Sequence, residues 1–103
     1  MNDTIIEVAT FRLKKGVKRE AFLTAVPATT AYLSSMKGYK SRRLVESETG
    51  HWIDLVEWES LADGEAAARI FSAKLQPDIA PFLDALDMSD GSMQHYHIRI
   101  ADG

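Results

Sequence analysis

A two-layer α+β domain of β-α-β-β-α-β order, the ferredoxin-like arrangement, is what this chain predicts. Three observations predict it. Four stretches, residues 4–13, 39–48, 50–60 and 92–101, follow the two-residue alternation of strands. Two stretches, beginning at Val17 and Ser60, place apolar residues at the three- and four-residue spacing of helices. Turn and cap residues punctuate the joins: Lys14-Lys15-Gly16, Lys37-Gly38, Glu48-Thr49-Gly50 and Pro77.

In the first strand Ile5, Glu7, Ala9, Phe11 and Leu13 share one face, and Ile6, Val8 and Thr10 the other. The first helix, residues 17–36, carries Phe22, Val26, Thr29, Leu33 and Met36 on one side. Pro27 removes a backbone donor and predicts a kink or break. Gly38 suits a left-handed helix stop. The second strand holds the basic cluster Lys40, Arg42 and Arg43, and a hairpin turn at 48–50 leads into the third. There Trp52, Asp54, Val56 and Trp58 alternate with Ile53, Leu55 and Glu57. Ser60 is a helix cap with Asp63 in the first turn. Leu61, Ala67, Ala68, Phe71 and Leu75 form the apolar stripe that follows. Pro77 ends that helix, and Ile79, Phe82, Leu83 and Leu86 predict a short helical piece with Pro81 near its start. Residues 87–91 read as loop, before a last strand containing His95-Tyr96-His97.

The 103 residues suffice for one domain with one core, spanning 1–103. Hydrophobic residues at 46% and charged residues at 26% are ordinary for a globular chain. A net charge of −3 argues against nucleic acid, where a basic face supplies most of the affinity. No apolar run approaches the ~20 residues of a membrane helix. The first residues lack a basic segment followed by an apolar one, so a cytoplasmic protein is expected. Without cysteine there is no disulfide and no thiolate chemistry.

With helices on one side of the sheet, the other side also needs a cover, and Phe11, Trp52, Val56 and Trp58 are the residues expected there. A second copy of the same sheet is the economical solution, so a homodimer is expected, with a pocket between sheet and helices or between sheets.

The segment Val56-Glu57-Trp58-Glu59-Ser60-Leu61-Ala62-Asp63, together with Lys15-Gly16 after strand one, resembles the dimeric α+β barrel superfamily, and within it the antibiotic biosynthesis monooxygenase-like domains. The resemblance implies a homodimer whose sheets form a barrel, with one ligand cavity per subunit. It also implies an activity among cofactor-independent monooxygenases acting on planar phenolic or enolic substrates, with no cofactor. The alternative is a non-catalytic ligand-binding or stress-related homodimer using the same cavity. In the heme-degrading branch a pocket tryptophan ends strand three, and Trp58 matches it. That branch also has a strand-one asparagine where this chain has Ala9, and a second-helix histidine where residues 61–75 have none. Two of three positions therefore depart from heme degradation.

The candidate site residues each have a functional and a structural reading. Trp58 and Phe11 hold a planar ring, or bury area in the core; Trp52 shares their face. Asp54, a carboxylate among apolar groups, is a base, or pairs with Arg42 or Arg43 on the hairpin partner. Glu7 is a second pocket acid, or sits at a solvated barrel end. His95 and His97 share one face of the last strand. Each is a candidate general base, or is solvated at the dimer surface. Their i, i+2 spacing would bind a metal only with a third ligand from elsewhere, and no metal is expected.

Overall fold

A computed structural model describes residues 3–72 and 77–103. Strands β1 (Ile5–Leu13), β2 (Tyr39–Glu46), β3 (Trp52–Trp58) and β4 (Leu86–His97) form one antiparallel sheet in the order β2-β3-β1-β4. Helices α1 (Arg19–Thr24), α2 (Val26–Ser34), α3 (Leu61–Ser72) and α4 (Ala80–Asp84), with a 3-10 turn at Pro77–Ile79, cover one face. The ferredoxin-like order is as expected. Leu75, assigned above to the helix stripe, lies outside the described residues.

The long first helix divides where Pro27 requires it. Ala25 closes α1, its N–H donating to the Phe22 carbonyl at 2.9 Å, and Pro27 then falls in the first turn of α2, where no intrahelical N–H is needed. Ser60 caps α3: its Oγ accepts from the Asp63 N–H at 3.1 Å. Gly50, at φ 82°, closes the β2–β3 turn, its N–H reaching the Ser47 carbonyl at 3.1 Å.

Two boundaries differ from expectation. Residues 87–91, read as loop, belong to β4, which pairs with β1 on both sides of a bulge between Thr10 and Arg12. Gly91 makes this possible, because a side chain there would run into the Thr10 carbonyl. At its far end β4 stops at His97 rather than continuing to Ala101.

The sheet faces are the main correction. Phe11, Trp52, Val56 and Trp58 lie under the helices, not opposite them, and all four are buried. Two clusters form there. Ile5, Leu33, Val56, Trp58 and Ala67 make one; Phe11, Phe22, Trp52, Phe82 and Ala85 make the other. The second is an aromatic lattice, with Phe22 and Phe82 stacked at 5.0 Å and Trp52 edge-on to Phe22 at 5.0 Å. The helices take this face because its rings bury the larger apolar area. The uncovered face instead presents Ile6, Val8, Ile53 and Leu55, all half-buried, with Val45 and Tyr96 exposed.

Candidate functional site

A cavity of ≈ 430 Å³ lies between the sheet and the helices. Its volume is in the range of small-ligand sites. Glu7, Ala9 and Phe11 of β1 and Asp54 and Val56 of β3 form its floor. Leu33, Phe71 and Phe82 wall it from α2, α3 and α4. Met88 and Met93 from β4, 44% and 40% exposed, and Lys14 complete the rim. The surface is apolar and aromatic, with two carboxyl groups on the floor. Strand alternation puts both there, since Glu7 is opposite Val56 and Asp54 opposite Ala9 across the β1–β3 pair.

The two acids are held differently. Both oxygens of Asp54 are taken by Arg42, with Nε to Oδ1 at 2.9 Å and Nη2 to Oδ2 at 2.6 Å. Arg42 Nη1 donates to Thr29 Oγ1 at 2.6 Å and to Thr30 Oγ1 at 3.0 Å, and the guanidinium lies 5.3 Å from the Phe82 ring centroid. This forked, bidentate pair engages both carboxylate oxygens within the protein. Glu7 accepts a hydrogen bond from Trp58 Nε1 at 2.9 Å. Burial pushes the Glu7 carboxyl above its ordinary value of 4.5. The Trp58 N–H and the neighbouring His95 and Arg42 work against that rise, while Asp54 adds to it.

Trp58 is fully buried behind Glu7 with Tyr39 edge-on to it at 5.9 Å, and it does not line the cavity. The rings that do are Phe11, Phe71 and Phe82. Trp52 lines a second, smaller cleft of ≈ 270 Å³ at the hairpin end, together with Arg12 and His51. His95 stands opposite Glu7 across the β1–β4 pair, and its Nε2 is buried without a hydrogen-bond partner among the described residues. His97, the last residue of β4, is exposed and lines neither pocket. Among the described residues no group of three or more His, Cys, Asp or Glu side chains is arranged to hold a metal, and no helix is long and apolar enough to cross a membrane.

Of the two hairpin arginines offered as partners for Asp54, the structure selects Arg42. A bulge between Tyr39 and Ser41 resets the β2 register, so that Tyr39 and Arg42 both face the helices. Strict alternation from Tyr39 selects Arg43 instead, which is exposed.

No family model and no curated protein matches the chain. Solved structures do. An antibiotic biosynthesis monooxygenase-like protein from Bordetella bronchiseptica superposes with a TM-score of 0.77 at 17% identity, over 95% of this chain and 99% of that one. The chain has the fold of these antibiotic biosynthesis monooxygenase-like structures. SnoaB from Streptomyces nogalater, a cofactor-independent oxygenase, matches with a TM-score of 0.72 at 13% identity over 96% of each chain. A monooxygenase-like protein from Shewanella loihica matches at 0.69 and 22% identity, covering 98% of this chain and 99% of that one. The monooxygenase-like fold therefore accounts for the whole sheet and its helical cover, and the cavity lies between those two layers.

Proposed function

We propose that the protein is a cofactor-independent monooxygenase that oxidises a planar phenolic or enolic substrate in the cavity between sheet and helices. The observation that carries this reading is a buried carboxyl, Glu7, on the floor of an otherwise aromatic and aliphatic cavity. Of the bases considered above, His97 is exposed, His95 does not line the cavity and Asp54 is bound by Arg42, which leaves Glu7 as the group that meets the ligand. A carboxylate whose pKa is raised by burial is a stronger base than a solvated one.

In this mechanism Phe11, Phe71 and Phe82 clamp the ring system while Glu7 removes a proton from it. The resulting carbanion is electron-rich enough to reduce dioxygen directly and forms a carbon–oxygen bond to it. The proton held by Glu7 returns to the distal oxygen, giving a hydroperoxide. Loss of water then leaves a ring carbonyl. The chain's part is to position the substrate, exclude water and hold the proton. SnoaB, a cofactor-independent oxygenase of the same fold, supports the reading.

The test is oxygen uptake with anthrone, an enolisable tricycle, alongside quenching of tryptophan fluorescence. Saturable quenching with uptake that depends on Glu7 supports the enzyme. Saturable quenching without uptake by any hydroxylated polycycle would leave only the ligand-binding alternative.

The reading includes a homodimer joined through the uncovered sheet face of Ile6, Val8, Ile53 and Leu55. Light scattering at micromolar concentration is expected to give twice the 11.5 kDa chain mass. A monomer mass there would remove the barrel.

A further inference from the structure

Behind the cavity floor lies a polar arrangement that packing alone does not require. Trp58 Nε1 donates to Glu7 Oε1 at 2.9 Å. His95 faces Glu7 from the neighbouring strand, with Nε2 buried and, among the described residues, unpaired. Gly64 of α3 closes over both. A side chain on it would begin 3.1 Å from the indole Cδ1 and 3.3 Å from the imidazole Cδ2. The indole and imidazole rings thus converge under one glycine, next to the strand that carries the buried carboxyl. A buried imidazole nitrogen without a partner costs free energy unless some state of the protein uses it.

We propose that His95 is a positioning residue for Glu7: it stands behind the carboxylate and takes up the positive charge when Glu7 receives a proton from the cavity ligand. This rests on the reading of Glu7 as the group that meets the ligand. The ligand's O–H bond breaks and a carboxyl O–H forms. That proton then passes to the imidazole, so Glu7 ends as a carboxylate beside an imidazolium rather than as a neutral acid. The carboxylate is free to receive the proton back when the oxygenated product needs it. Of the other groups acting on Glu7, Asp54 from β3 is neutralised by Arg42 from β2, and Trp58 supplies only a neutral N–H. Over His95, α3 brings Gly64, which has no side chain to titrate. The direction of the His95 effect on Glu7 agrees, since its charge holds the carboxyl lower than burial alone would.

The experiment is carboxyl-carbon and imidazole-nitrogen NMR on the whole chain. In His95→Gln the Glu7 titration midpoint is expected to rise by about half a pH unit or more; an unchanged midpoint overturns the proposal. If that variant does not fold, the wild type decides: the His95 ring signal must inflect where Glu7 titrates, and independent curves overturn the pair. With ligand, 2-naphthol is expected to drive the ring signal toward imidazolium, while 2-methoxynaphthalene, lacking the proton, is not. Naphthol bound with no change in the ring signal overturns the relay and leaves the cavity intact. If neither compound binds, the cavity reading is what fails, and the ligand-free titrations still decide whether Glu7 and His95 act as a pair.

Discussion

Replacing Asp54 by alanine is expected to destabilise the fold by ~3–5 kcal/mol, because it leaves the Arg42 guanidinium buried with no counter-charge. The Arg42 side chain is 4% exposed and that of Asp54 10%, so solvent cannot screen what remains. The cost is distributed across the layers. Arg42 reaches from β2 to Asp54 on β3, to Thr29 and Thr30 on α2, and over Phe82 on α4. It therefore ties two strands to two helices around the cavity. For a domain of this size the loss corresponds to a fall in Tm of about 12 °C or more. Removing both partners is a different matter. Arg42→Met with Asp54→Leu is expected to recover most of the loss, since matched apolar groups avoid the desolvation that a buried pair must offset. Thermal and urea unfolding of the three proteins measures both effects. A cost below ~1 kcal/mol for Asp54→Ala would mean that the pair behaves as a solvated surface bridge.

Replacing Glu7 by glutamine is expected to have the opposite balance, with a large loss of turnover and little loss of stability. The amide keeps the size of the carboxyl and can still accept from Trp58 Nε1, so the hydrogen bond at 2.9 Å survives. It cannot accept a proton from a substrate, and a positioned general base contributes ~10²–10⁴-fold to rate. Oxygen uptake is therefore expected to fall by about that factor while unfolding remains cooperative.

The pH dependence of stability separates the two proteins further. In the wild type the native Glu7 carboxyl titrates above the 4.5 of the ordinary group, because burial disfavours its charge. Between that value and the native midpoint the unfolded chain has released the proton and the native chain still holds it. The native state binds more protons there, so stability falls as pH rises through the window and is level above it. Glu7→Gln removes the titrating group. The difference in stability between variant and wild type is thus expected to grow in the variant's favour across the window. A constant difference from acid to neutral pH would mean that Glu7 is solvated in the native state. Turnover retained in Glu7→Gln would move the base to another residue and sink the mechanism.

Much of this protein was legible in the one-dimensional pattern because local physics decides it. The division of the first helix at Pro27, the Ser60 cap and the Gly50 turn each depend on a few neighbouring residues and a backbone group. The β-α-β-β-α-β element order follows from the periodicities and the turn residues, and alternation puts Glu7, Phe11 and Asp54 on one face. The pairing of Asp54 with a hairpin arginine was also foreseeable, although which arginine was not.

Tertiary structure alone decided what alternation leaves degenerate. Both faces of β1 and β3 are apolar, so the strand pattern could not say which the helices cover; the bulk of the aromatic rings settled it, and Trp58 became the backing of Glu7 instead of a cavity wall. Bulges did the same for the edges. One turned Arg42 inward and left Arg43 in solvent, and the other brought residues 87–91 into β4. A bulge adds a residue on one strand without a counterpart on the other. Its position depends on the fit between two strands, and neither strand's own sequence carries that information.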